Sequence, residues 1–266
     1  MVPKWKSAKV WVVVAMLMSG TAAAIKLAES PVRAAGDNER RPVLVELFTS
    51  EGCSSCPPAD ALLAKLDANQ FVPGARVIVL SEHVTYWDRL GWRDPFSLEA
   101  MTRRQQQYSQ HFNLDDVYTP QVVVDGAAQL VGSDERGLRR DIAEAAQEAK
   151  LDVKIEGAQA SGDHQVQFRV RVVGNGSGAH LVAALAEDRV ESTVARGENA
   201  GRTLQHVAVV RTLQDFGIGR QEGRSLALRL PEQKDDNGKS LRLVVFLADA
   251  KTGHVLGVDE QSIHAE

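Results

Sequence analysis

From Arg41 onward the apolar residues of this chain follow two rhythms, and the change between them divides it. Val43 to Phe48 is a nearly continuous apolar run broken by Glu46, the pattern of a buried parallel strand. Ala59, Leu62, Leu63 and Leu66 follow at helical spacing, and Arg76 to Leu80 repeats the buried-strand pattern. Leu98, Met101, Tyr108 and Phe112 fall on one helical face. Gln121 to Val124 is β-rich and runs into Asp125-Gly126, a strong hairpin pair, with Leu130 and Val131 on the return. Ser133 is placed to cap a last helix whose apolar stripe is Leu138, Ile142, Ala145 and Ala149. The order is β-α-β-α-β-β-α. A crossover helix makes the first pair of strands parallel and the tight turn makes the last pair antiparallel, so a four-stranded mixed sheet flanked by helices is predicted.

After Lys150 the helical stripes stop. Val166, Phe168, Val170 and Val172 alternate with polar residues, and Gly174-Asn175-Gly176-Ser177-Gly178 reads as a turn before Leu181 to Ala186. Leu226, Leu228 and Leu230 alternate again, and Leu241 to Leu247 is a fuller apolar run. Strands at regular spacing predict an all-β antiparallel sandwich over 151–266, after an α/β domain over 41–150.

The N-terminus is of another kind. Lys4, Lys6 and Lys9 precede an apolar run from Val10 to Met18 and an Ala22-Ala23-Ala24 ending, the form of a secretory signal peptide over 1–24, with 25–40 as linker. The apolar run is short for a membrane span of about 20 residues, so no stable span is expected after cleavage. The alternatives are an uncleaved anchor or a cut at Ala34-Ala35. Cleavage after residue 24 removes three lysines and no acid, moving the formal charge from −4 to −7. An acidic mature chain does not point to nucleic acid. Export, to the periplasm or beyond, places the chain where disulfides persist.

That setting matters because the chain has two cysteines, Cys53 and Cys56, in one four-residue window between the first strand and the first helix. A purely structural disulfide closes a loop too small to remove much chain entropy. A structural zinc site needs four ligands, and neither a second Cys pair nor a His-x₃₋₅-His spacing exists. A redox dithiol fits the placement. Helix N-termini carry unpaired N–H groups and positive partial charge that favour thiolate. Pro57 and Pro58, which lack N–H donors, start the helix at or just after the cysteines. Cys53 is then expected to be the more exposed attacking sulfur and Cys56 the resolving one.

The strand, Cys-x-x-Cys, helix start and element order, with Tyr118-Thr119-Pro120 before the third strand, resemble a thioredoxin fold. The resemblance implies a cis-proline at Pro120, preceded by Thr119, that helps hold substrate backbone beside the dithiol, where the residues alone read as a trans-proline opening an edge strand. It also implies a buried acid on the first strand; Glu46 fills that place, one residue further from Cys53 than is usual. Burial there predicts a raised pKa, whereas an edge position leaves the carboxylate in solvent.

More narrowly, Val45 to Asp60 resembles a bacterial secreted family catalogued as domain of unknown function 1223. The likeness continues through Ser81-Glu82-His83-Val84, Tyr86 to Trp92, Asp94-Pro95-Phe96, Tyr118-Thr119-Pro120-Gln121 and Arg196 to Leu204. Gly52 stands where thioredoxins usually carry tryptophan, and Ser54-Ser55 fill the dipeptide that influences redox potential, so the direction of electron flow is left open. The stretch from His83 to Ser97 is long for a strand-to-helix link and rich in aromatics, as binding elements or lids are. The alternative is that Trp87, Trp92 and Phe96 pack over the sheet. His83 is the titrating group in reach of the dithiol, as a partner for thiolate, a third metal ligand or, more plainly, a satisfied loop histidine. Asn199 to Arg202 suits a binding loop or a tight turn.

The reading is an exported thiol–disulfide oxidoreductase. Cys53 and Cys56 are catalytic, Pro120, Thr119, Glu46 and His83 supporting, protein thiols or disulfides the partners, and no organic cofactor is needed. The alternatives are a copper or other soft-metal carrier using Cys53, Cys56 and His83, and a non-catalytic envelope interaction module.

Overall fold

A computed structural model describes residues 40–161, 165–218, 223, 225–229 and 240–263. The predicted signal peptide and nearly all of the linker, together with Leu230, lie outside the described residues.

The first strand, β1 (Arg41–Thr49), pairs in parallel with β2 (Ala75–His83), and helix α1 (Pro57–Asn69) makes the crossover. Helix α2 (Glu99–His111) follows, then β3 (Gln121–Val124), β4 (Ala128–Val131) and helix α3 (Glu135–Ala145). β3 runs antiparallel to β1, and β4 to β3. The two faces of β1 explain its apolar run. Leu47 lies beneath Ala59 of α1, since a Cβ on Gly132 would come within 3.0 Å of both side chains. Glu46 and Phe48, one residue to either side, face α2 through Arg104 and Tyr108. The helix caps one residue later than predicted. Asp134, not Ser133, accepts the Gly137 N–H at 3.0 Å, because it is the residue whose carboxylate reaches that turn.

The predicted four strands are present as β2-β1-β3-β4, but the sheet does not end there. Ser81 of β2 pairs in parallel with Val209 of β8 (Thr203–Ile218), and the sheet continues through β7 (Ala179–Thr193), β10 (Leu241–Asp249) and β11 (Val255–Ile263). Eight strands result, in the order β11-β10-β7-β8-β2-β1-β3-β4. A separate antiparallel sheet has the order β5 (Asp152–Ser161), β6 (Gln165–Val173), β9 (Leu226–Arg229). Both faces of β7 and β10 are buried. Leu181, Ala183 and Leu185 of β7, with Leu243, Val245 and Leu247 of β10, share a core with Val166, Phe168 and Val170 of β6. Val182, Ala184, Val244 and Phe246 belong to the core beneath the helices. That is why Leu241 to Leu247 reads as a full apolar run rather than an alternation.

The sheet curls until its far turns meet. A Cβ on Gly126 would lie 2.1 Å from the Gly253 carbonyl oxygen, and Gly126 has φ +65°, so glycine is required at this contact. Lys150, buried beside the turn, bonds the Val255 carbonyl at 2.8 Å and the Asp125 carboxylate at 2.9 Å. Hydrogen bonding therefore crosses the change of pattern near residue 150, and the described residues belong to one compact unit. Among the described residues no helix is long and apolar enough to cross a membrane.

Candidate functional site

Cys56 occupies the position just before α1, and Pro57 and Pro58 take the first two helical positions, as their missing N–H groups require. Cys53 and Cys56 are joined as a disulfide with Cα atoms 5.4 Å apart. The Cys56 carbonyl accepts the N–H groups of Ala59 and Asp60 at 2.8 and 3.1 Å, so α1 starts on the bridged loop itself. Ser54 and Ser55 are exposed. Cys53 is not the more exposed sulfur that its position suggests: both cysteines are 0% exposed. Residues far along the chain cover the loop. Asn199 donates to the carbonyls of Glu51 and Cys53, each at 2.9 Å, and the Ser54 N–H bonds the Glu198 carboxylate at 3.0 Å.

Trp87 closes the other side. A Cβ on Gly52 would stand 3.1 Å from Trp87 Cβ, so the backbone at Gly52 lies against that side chain. The Trp87 indole N–H donates to Thr119 Oγ1 at 2.8 Å, and the Thr119–Pro120 peptide is cis. Pro120 faces the start of α1 across Gly132, where a Cβ would meet Ala59 at 3.0 Å and Pro120 at 3.1 Å. Thr119 and Pro120 are thus drawn to the dithiol segment, Thr119 through Trp87 and Pro120 through the start of α1.

Glu46 is not. It is buried on the α2 face, where Arg104 Nε and the Tyr108 hydroxyl donate to its two oxygens at 2.5 Å each. Burial pushes its carboxyl up, but the Arg104 guanidinium outweighs this and holds it below the usual range, against the expectation of a raised value. The acid raised well above its normal range is Glu82, buried on the next strand and repelled by Glu46. Its Oε1 lies 3.6 Å from Arg104 Nε.

His83 is buried with its Nδ1 2.7 Å from Asp94 Oδ2. The same Asp94 oxygen accepts the Glu51 N–H at 2.8 Å, so one carboxylate orients both His83 and the dithiol loop. Burial pushes the Asp94 carboxyl up, yet attraction to the His83 ring and its N–H donors bring it down to about 2. The long loop serves this site. Trp92 Nε1 donates to Glu51 Oε2 at 2.8 Å, and the Phe96 ring is 5.5 Å from that of His83.

The second half of the chain contributes a residue that sequence reading did not find. His206, on β8 and 2% exposed, lies with Nε2 3.6 Å from Glu51 and Nδ1 3.6 Å from Asp60 in the first turn of α1. Its ring centroid is 4.7 Å from that of His83. Burial pushes the imidazolium pKa down, but the facing Asp60 and Glu51 carboxylates lift it from 6.5 to about 10. Ser192 of β7 also donates to Glu51. Among the described residues no group of three or more His, Cys, Asp or Glu side chains is arranged to hold a metal ion.

Residues 44–248 match the family model described as Protein of unknown function (DUF1223). The chain belongs to the DUF1223 family. A solved crystal structure of a protein from Agrobacterium tumefaciens is similar to it, at 29% identity and a TM-score of 0.60, covering 84% of this chain and 94% of that one. No curated protein matches. The DUF1223 match takes in the Cys-x-x-Cys loop, the His83–Asp94 pair, Asn199 and His206 alike.

Proposed function

We propose that this DUF1223 protein is an exported thiol–disulfide oxidoreductase, with a thioredoxin-like domain followed by a β-sandwich, acting on protein thiols or disulfides through Cys53 and Cys56. The observation that carries the reading is the Cys53–Cys56 disulfide at the N-terminus of α1. A bridge this short contributes little as a staple, whereas the same placement favours the thiolate that exchange requires. The order β-α-β-α-β-β-α and the approach of Thr119-Pro120 to the start of α1 support the thioredoxin-like part. The shared core of the three-stranded sheet with β7 and β10 supports the sandwich. Export rests on the Lys4 to Ala24 pattern.

In the oxidising direction a substrate thiolate attacks Cys53 Sγ. The Cys53–Cys56 bond breaks and Cys56 leaves as thiolate. The second substrate thiolate then attacks the substrate sulfur of the mixed disulfide, so the substrate gains a disulfide and Cys53 is released. Two electrons pass from substrate to protein, and the two substrate protons end on the cysteines or in solvent. The reducing direction runs the same steps backwards, with Cys56 resolving the adduct on Cys53. Because both sulfurs are buried in the disulfide state, a substrate must displace Trp87 or the Asn199 loop.

A Cys56→Ala variant is expected to accumulate partner proteins on Cys53 as adducts released by reductant. Absence of any such adduct, or adducts that persist when both cysteines are replaced, would contradict the reading.

A further inference from the structure

We propose that His206 is a positioning residue that sets the electrostatic balance of the dithiol, acting from β8 through Glu51 and Asp60; this rests on the oxidoreductase reading.

The geometry is a bracket around the disulfide. Glu51 lies two residues before Cys53, and Asp60 donates its N–H to the carbonyl of Cys56. Both acids are buried, at 0% and 5% exposure, and His206 stands 3.6 Å from each. Two carboxylates beside a dithiol oppose formation of a further negative charge, and a cation between them offsets that opposition. Asn199 binds the Glu51 and Cys53 carbonyls together, so Glu51 and Cys53 move as one loop.

The surrounding charges are few enough to name. On β2, His83 faces the His206 ring and is paired with Asp94 behind it. Along β8, Arg211 lies over the Phe96 ring, which is itself 6.0 Å from that of His206. From the loop before β8, Glu198 holds the Ser54 N–H and Arg202 holds Asn199. Among the described residues His206 is the cation placed directly between Glu51 and Asp60.

A structural role explains this arrangement poorly. Among the described residues Thr49 Oγ1, Ser81 Oγ and His83 Nε2 are buried with no hydrogen-bond partner, and the two ring nitrogens of His206 reach Glu51 and Asp60 only at ion-pair distance. Each such group costs about 1–3 kcal/mol. Buried polar groups left unsatisfied in this way call for an explanation such as a catalytic role.

The test is titration of thiolate ultraviolet absorbance in the full-length, chemically reduced protein. His206→Gln is expected to move the thiolate titration upward by about one pH unit or more. His206→Arg, which keeps the charge, should stay near the parent, and Asp60→Asn should move the titration downward. If His206→Gln does not fold, Asp60→Asn and Glu51→Gln carry the test, both with downward shifts. Shifts of the same sign for His206→Gln and Asp60→Asn, or none, would overturn the role. The titration needs only chemical reductant, so it is separable from the function. Opposite shifts with no partner trapped on Cys53 would sink the oxidoreductase reading and leave the electrostatic coupling standing.

Discussion

Asn199 spends both of its amide hydrogens on the loop that carries Cys53, while Arg202 holds its oxygen at 3.0 Å and so fixes which way the amide points. Asn199→Ala leaves the buried Glu51 and Cys53 carbonyls without these donors. We expect a loss of about 2 kcal/mol in denaturant unfolding and faster reduction of the disulfide by a small thiol. An unchanged midpoint and an unchanged rate would show that the clamp is idle. Gly52 belongs to the same scale of argument. Its missing side chain is what lets Trp87 lie against the loop.

At the scale of elements, α2 is fastened to the sheet by one buried ion cluster. Arg104 bonds Glu46, lies 3.6 Å from Glu82, and its guanidinium sits 5.0 Å from the rings of Tyr108 and Phe246. Removing the cation alone strands a buried carboxylate. Arg104→Met should therefore cost about 3–5 kcal/mol, and Glu46→Gln with Arg104→Met markedly less, as read by thermal or denaturant unfolding of the set. Equal losses in the single and double variants would contradict this account. Glu46 was visible in the sequence as a lone charge in an apolar strand, but its partner lies 58 residues away and carries no local mark. Elements with one rhythm were legible: β1, α1, β2, β3 and its hairpin follow the pattern closely. Three strands were not. β5 is half-exposed and interrupted by a register shift after Glu156, and the pairing of β7 with β8 shifts between Leu185 and Ala186, with Ala208 at φ +48°. Such irregularities break the two-residue alternation on which strand reading depends. β11 packs only part of its length, and its Asp259, Glu260 and Gln261 hide the pattern.

For the whole molecule, the consequence is that the dithiol is assembled from both halves of the chain. The Cys-x-x-Cys window and its helix could be read from sequence because each depends on neighbours a few residues away, whereas Pro120 is reached only through the resemblance to a thioredoxin fold. His206 could not be read, and Asn199 was legible only as part of a polar loop, since the contacts that give them meaning span 146 residues or more. Those contacts exist because β8 lies beside β2 in one continuous sheet and α1 packs across it. The most direct measurement of the central claim is equilibration of the intact chain in glutathione buffers, quenching the thiols and counting them by mass. The account predicts a reversible two-electron transition between the Cys53–Cys56 disulfide and the dithiol, with the disulfide passed on to an added dithiol peptide or regained from a peptide disulfide. A pair that stays oxidised across the whole buffer range and exchanges with neither peptide would contradict it.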